Sequence, residues 1–316
     1  MTGEAKVDFK ILGPVAVRSG DEFIPISGPR HRRILATLLV DPERPVSTSR
    51  LVEVLWGEGP PSTAVQQVQN CVGTLRRLLS STGVQADIAR ISASYRLITN
   101  GNQVDASQFV QILSDAETRA RAGDLHHASA SIRRALSLWS GKALEDVGSD
   151  ALAPVAARFE EMRLRALEQC GKIDLAQGNN ANVVVEFSEW VSRYPYHENL
   201  HGYLALAMHN MGRTADGLRV LQSLRSRLST ELGIEAGAFV DKVHRGLLDS
   251  QEANIPDPGG MPFDADVLQM VRSAVDQMTR AVALLSSQTC QTCSSSPSTP
   301  SSGRLRRASR APADAA

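Results

Sequence analysis

Residues 63–79 read TAVQQVQNCVGTLRRLL, and their order decides the fold. At helical spacing Val65, Val68, Val72, Leu75 and Leu79 fall within about 80° of one another, an apolar stripe that would pack this helix onto its neighbours. The opposite face carries Gln66, Gln67, Asn70, Gly73, Thr74 and Arg77. Amide side chains pair with adenine N6 and N7, threonine meets a thymine methyl or a polar edge, and arginine reaches guanine or phosphate. No Asp or Glu occurs from Ser62 through Ala86, so nothing on this surface repels a polyanion. Arg76 lies nearer the apolar stripe and is expected to clasp phosphate or a neighbouring acid from the side.

Upstream, Gly28-Pro29 opens RHRRILATLLV, a helix closed at Asp41-Pro42. A short second helix follows, capped by Ser47 or Thr48 and running to Gly57. Gly57-Glu58-Gly59-Pro60-Pro61 is a stiff loop, and Ser62 or Thr63 caps the third helix. Residues 7–27 alternate and break at glycine and proline, so VDFKIL, VAVR and FIPI read as three short antiparallel strands. Downstream, Ile88 to Ser92 and Tyr95 to Thr99 form a hairpin that turns at Ser92-Ala93-Ser94. Three helices and a terminal hairpin are the plan of a winged helix-turn-helix, in which the last helix enters the major groove. Phosphate contacts are expected from Arg30, His31 and Arg32 at the first helix and from Ser47, Thr48 and Arg50 at the second. On the wing they are expected from Arg90, Tyr95 and Arg96. For any one arginine a solvated surface charge is the simpler account; the order of the elements makes the group a case.

From Asp105 to about Ser250 the sequence is rich in alanine, leucine and arginine, with almost no strand signal, and reads as all-α. The turns Ala122-Gly123-Asp124-Leu125, Gln177-Gly178-Asn179-Asn180 and Met211-Gly212-Arg213-Thr214 each sit between amphipathic helices. Gly178 and Gly212 are 34 residues apart, the tetratricopeptide period. Gly123 and Gly178 are 55 apart, a surplus that an extra helix from Ala151 to Gly171 would explain. An irregular helical bundle is the alternative. Residues 253–263 read as a linker and 264–287 as a helix with a short heptad seam, Val267, Val271, Ala274, Met278, Ala281 and Leu285. Residues 288–316 are of low complexity and read as a disordered tail. The division is therefore 1–104, 105–252 and the C-terminal remainder.

The segments LGPVAV, GPRHRRILATLL, PVSTSRLVEVLWGEGPP, TAVQQVQNCVGTLRRLL and SYRL resemble the OmpR-type DNA-binding domain of the Streptomyces antibiotic regulatory protein family. DASQFVQIL, GDLHHASASIRRALSLWSGKALEDV, RLRALEQ and STELGIEAG resemble that family's bacterial transcriptional activation domain. The resemblance covers about residues 7–250. It implies a pathway-specific activator that binds direct repeats of double-stranded DNA as a side-by-side dimer near promoters of secondary-metabolite gene clusters. It also implies recruitment of RNA polymerase holoenzyme through the loop Trp56, Gly57, Glu58, Gly59 and Pro60, with Trp56 in the core and Glu58 exposed. The chain departs from the family at Gly73 and Thr74, where serine and arginine are usual, and at Ser94, usually glycine. The departure at Gly73 bears on which operator is read.

The 316 residues carry 34 basic and 34 acidic side chains, unevenly placed. Residues 1–104 hold 12 basic against 9 acidic, and residues 105–252 hold 16 against 20. The N-terminal part is the basic one. No apolar run approaches the roughly 20 residues of a membrane span, and the opening MTGEAKVDFK gives no signal-peptide pattern. A cytoplasmic, nucleoid-associated protein is the expectation. Four cysteines make no disulfide framework, and Cys290/Cys293, with zinc-ligand spacing, lack a second pair, so no metal is expected. His197 and His201, at i, i+4 spacing, could ligate a metal, but without a neighbouring carboxylate motif they read as solvent-facing helix residues, as do His126 and His127. Cys71, within residues 63–79, reads as a packed side chain and not a nucleophile. Gly141-Lys142 and Gly171-Lys172 lack the remainder of a phosphate loop. No nucleophile or acid/base pair stands out, so neither an enzyme nor a cofactor is expected. The alternative function is a tetratricopeptide-type adaptor whose winged helix binds protein.

Overall fold

The structure is a computed structural model and describes residues 7–100 and 103–249. The N-terminal strands β1 (Val7–Lys10), β2 (Ala16–Ser19) and β3 (Glu22–Pro25) form an antiparallel meander, with Phe9 opposite Val17 and Val17 opposite Ile24. The alternation of apolar residues turns Phe9 and Val17 into the core.

Helix α1 (Pro29–Val40) begins on the conformationally locked Pro29 and buries Ile34, Leu35, Leu38 and Leu39. Helix α2 (Thr48–Trp56) is capped by Ser47, whose hydroxyl accepts from the Arg50 amide at 3.1 Å, and ends at Gly57 with φ 62°. Helix α3 (Ala64–Thr82) outlasts its expected end at Leu79 by three residues and stops at Gly83, φ 77°. Ser80, Ser81 and Thr82, the added residues, donate their hydroxyls to the carbonyls of Arg76, Leu78 and Leu79. Thr63 stands at the N-cap position, but contrary to expectation its hydroxyl caps no backbone amide and accepts instead from Gln67 Nε2 at 2.9 Å.

The hairpin β5 (Asp87–Ile91) and β6 (Ser94–Ile98) follows, and the two-residue strand β4 (Val46–Ser47) pairs with β6. A further short strand, β7 (Gln103–Val104), runs parallel to β1 and completes a sheet of order β3-β2-β1-β7. Neither two-residue strand is long enough to produce an alternation signal, and sequence reading missed both.

Helices α4 (Asp105–Arg121), α5 (Leu125–Leu136), α6 (Ala153–Ala176), α7 (Asn180–Arg193), α8 (Glu198–Asn210), α9 (Thr214–Arg227) and α10 (Ala238–Leu248) make up the rest. Gly123, Gly178 and Gly212, at φ 80°, 74° and 75°, end α4, α6 and α8 and let the next helix fold back, as the repeat predicts. The helix expected from Ala151 to Gly171 is present as α6, but it is the ordinary second helix of its pair and not an extra one. The surplus in the 55-residue interval lies in its length of 24 residues and in the long connection 137–152, which ends in a 3-10 turn at Asp150–Leu152. Phe187, Tyr203, Leu204, Leu221 and Leu224 lie at the centre of the helical core.

That loop is the joint of the molecule. Trp139 meets Phe109 edge-on at 5.4 Å and lies under the Arg163 guanidinium at 4.5 Å. The amides of Ser140 and Leu144 donate to the carbonyls of Leu12 and Ile11, both at 2.9 Å. Asp146 accepts from the Val15 amide, and the Ser149 hydroxyl donates to the Val54 carbonyl at 2.9 Å. Asp105, at the start of α4, accepts from the amides of Ile11 and Leu12. Burial pushes its carboxyl up to about 6 against the opposing pull of those donors.

His201 corrects the sequence reading. It is buried, shares a 2.9 Å hydrogen bond with the His197 carbonyl, and is held below the usual imidazole range by burial. Cys170, Asp174 and Glu186 lie close enough to suggest a metal site. The Arg133 guanidinium already bridges both carboxylates, reaching Glu186 at 2.7 Å and ion-pairing with Asp174. The expected linker, helix and tail, with Cys290 and Cys293, lie outside the described residues.

Candidate nucleic-acid interface

Helix α3 rests on α1 and α2 through Val68, Val72, Leu75 and Leu79, each 1 % exposed or less, with Ala64 and Cys71 beside them. Burial raises the Cys71 thiol above its ordinary value, which suits a packed side chain and not a nucleophile. Val65 departs from the expected stripe, at 52 % exposed. Ala64 and Cys71 join the packed side in its place, so the buried arc is turned away from Val65, which stands at its outer edge.

The outward face is polar. Gln66, Asn70, Thr74 and Arg77 are exposed, and Gln67 and Gly73 are half-buried. Gln66 Nε2 donates to Asn70 Oδ1 at 3.2 Å, and Arg77 Nη2 donates to Thr74 Oγ1 at 3.1 Å. These weak contacts between exposed side chains can be exchanged for base edges. Gln69, half-buried, sits three residues after Gln66 and four before Gly73 and so shares their face.

The expected phosphate ligands separate into two groups. Arg30 and Arg90 are exposed; the Arg30 guanidinium lies over the Trp56 ring at 5.4 Å, and Arg90 Nε donates to the Ser92 carbonyl at 3.3 Å. Arg32 instead donates to the carbonyls of Asp146 and Ile26, both at 3.0 Å, and Arg50 donates to the Ala151 carbonyl and pairs with Glu53 at 2.8 Å. Arg76 donates to the Ile88 carbonyl and lies 3.8 Å from Asp87, which fits the neighbouring-acid half of its expectation. His31 shares a 3.0 Å hydrogen bond with the Ser27 carbonyl. The Ser47 hydroxyl caps α2, and the Thr48 hydroxyl donates to the Ala93 carbonyl at 2.8 Å, tying the wing turn to α2. Tyr95 and Leu97 face the core, whereas Arg96 on the same strand is half-buried on the alternate face. Tyr95 is thus a packing residue of the wing, because the pleat turns it inward.

Beside this surface the loop 57–61 is exposed. Trp56, expected in the core, is half-buried, while Glu58 is exposed as expected. A cleft of about 650 Å³ separates this loop from the interdomain joint and is lined by Glu53, Trp56, Glu58, Ser149 and Asp150. Arg33 also lines it, but its guanidinium donates to the carbonyls of Val147, Leu55 and Gly148.

Residues 26–94 match the family Transcriptional regulatory protein, C terminal, and residues 104–248 match the Bacterial transcriptional activator domain. The regulatory protein DnrI of Streptomyces peucetius is 32 % identical over 251 residues, covering 77 % of this chain and 92 % of its own length. The chain belongs to the Streptomyces antibiotic regulatory protein family of transcriptional activators. The family member RedD of Streptomyces coelicolor is 30 % identical over 77 % of this chain and 70 % of its own. AfsR of the same organism is 32 % identical over 78 % of this chain, which spans only 24 % of AfsR. Among solved structures, Mycobacterium tuberculosis EmbR, in complex with a low affinity phosphopeptide, matches with TM-score 0.70 and 26 % identity. The match covers 87 % of this chain and 72 % of that one.

In this family member the winged helix is followed by the helical region, in that order. Among the described residues no helix is long and apolar enough to cross a membrane.

Proposed function

We propose that the chain is a sequence-specific, DNA-binding activator of a secondary-metabolite gene cluster. It binds direct repeats of double-stranded DNA side by side as a dimer, and acts in the cytoplasm at the nucleoid. The supporting observation is the exposed face of α3, which offers Gln66, Gln67, Asn70, Thr74 and Arg77 around Gly73 and carries no carboxylate. Such a surface suits base edges. Arg77, Arg30 and Arg90 are the phosphate contacts retained, because Arg32, Arg50 and Arg76 are committed within the protein. Trp56, Gly57, Glu58, Gly59 and Pro60 face RNA polymerase holoenzyme. Boundaries at 1–104 and 105–252 complete the reading, which assigns the protein no enzymatic step.

A second reading, an adaptor that binds protein, is favoured by a cleft of about 610 Å³ over α7, α8 and α9, bordered by Pro195, Met208, Arg219 and Arg227. A mobility-shift assay on DNA flanking the encoding gene separates the two. The activator gives a sequence-preferring shift at moderate salt, and footprinting then shows two protected direct repeats. Equal binding of cognate and scrambled duplex would leave the adaptor.

A further inference from the structure

Glycines inside helices usually have a reason within the protein. A side chain at Gly171 would put its Cβ 2.6 Å from Phe187, at Gly202 2.4 Å from Phe239, and at Gly217 2.7 Å from the Ala205 carbonyl. Each permits close packing. Gly73 differs, because a Cβ built there meets nothing within 4 Å. Its backbone is ordinary helix, outside the left-handed region that favours glycine. It stands at the midpoint of α3 (Ala64–Thr82), where glycine loosens the helix through backbone entropy and alanine would hold it better. Neither packing nor conformation accounts for it.

Its surroundings supply another reason. One turn earlier Gln66 and Asn70 are hydrogen-bonded to each other, and just beyond it Thr74 and Arg77 are paired in the same way. Between these two polar pads Gly73 projects no side chain, and its carbonyl accepts a long 3.4 Å contact from Arg77 Nε. We infer that Gly73 is the point of closest approach between this helix and DNA, its missing side chain making room for base edges of the major groove. Because the helix axis can come nearer to the bases there, the short side chains Asn70 and Thr74 reach the groove floor together. This rests on the DNA-binding reading and adds to it a determinant of which sequence is bound.

The two effects of one substitution have opposite signs. In the full chain, Gly73→Ala should raise the melting temperature, by about 2–4 °C on the scale of a unit this size, while weakening binding to the footprinted duplex about tenfold. Gly73→Leu should weaken it further, with affinity for scrambled duplex changing little in either variant. Anisotropy titrations and thermal melts of wild type, Gly73→Ala and Gly73→Leu are the experiment. If wild type binds its duplex and Gly73→Ala binds as tightly, the inference fails while the DNA-binding reading stands. If Gly73→Ala lowers the melting temperature, the glycine serves the protein and the inference fails. If wild type shows no sequence-preferring shift, both fail together.

Discussion

Arg32 and Asp146 lie 3.3 Å apart across the boundary between the winged helix and the helical region, and the same carboxylate accepts the Val15 amide at 2.9 Å. Val15 is fully buried, so its N–H has no ready substitute partner. Asp146→Ala should therefore lower folding stability by about 1–3 kcal/mol. Asp146→Asn, which keeps an acceptor oxygen, should lose less. Urea unfolding of the three proteins checks this. Equal stabilities for Asp146→Ala and wild type would mean that the Arg32–Asp146 joint contributes nothing.

Asp105 gives the joint a pH dependence whose sign can be worked out. Its carboxyl is raised by burial from 3.8 to about 6, so between those values the folded chain holds a proton that the unfolded chain has lost. Its contribution to stability is complete below about pH 4 and is lost as pH rises through 6, then stays level. A rise from 3.8 to about 6 corresponds to roughly 3 kcal/mol. The stability of wild type relative to Asp105→Asn should decline by that order between pH 4 and pH 7. A difference independent of pH, measured by denaturant unfolding, would place the carboxyl in its ordinary range.

What the sequence discloses follows physical range. The register of α3 is legible because Val68, Val72, Leu75 and Leu79 repeat with the helix period, and the three turns are legible because glycine at positive φ ends a helix. Val65 was misread because it stands at the edge of the apolar arc, whose buried centre is shifted toward Ala64 and Cys71. The internal bonds of Arg32 and Arg50 are illegible in the sequence for a different reason. Their partners, Asp146 and Ala151, are about a hundred residues away on a loop without regular pattern. Only assembly of the chain shows that one edge of the basic surface is used internally.

Asn70 and Arg77 should separate direct readout from attraction to the backbone. Arg77, exposed at the side of α3, is held by weak contacts to Thr74 Oγ1 and the Gly73 carbonyl at 3.1 and 3.4 Å. Arg77→Ala should weaken binding to all duplexes and flatten the dependence of log K on log salt by about one unit. Asn70→Ala should cost roughly 1–3 kcal/mol at one base position and little on scrambled DNA. Titrations at several salt concentrations measure both. Equal losses on cognate and scrambled duplex for Asn70→Ala would remove it from base reading.

Glu58 allows DNA binding and activation to be pulled apart. The loop is held by its backbone, with Gly57 N donating to the Glu53 carbonyl at 2.7 Å and Gly59 N to the Trp56 carbonyl at 3.4 Å, bonds that do not involve the Glu58 carboxylate. Trp56 is a poorer probe, because removing its ring would also release the Arg30 guanidinium stacked on it. Glu58→Gln keeps the size and removes only the charge. Its melting temperature and duplex affinity should match wild type, while transcription from its own promoter with purified polymerase holoenzyme should fall about fivefold, the order expected for one interfacial charge worth about 1 kcal/mol. Unchanged transcription would show that the carboxylate takes no part in activation. A parallel fall in DNA affinity would instead place Glu58 at the duplex, a costly position for a carboxylate beside phosphates.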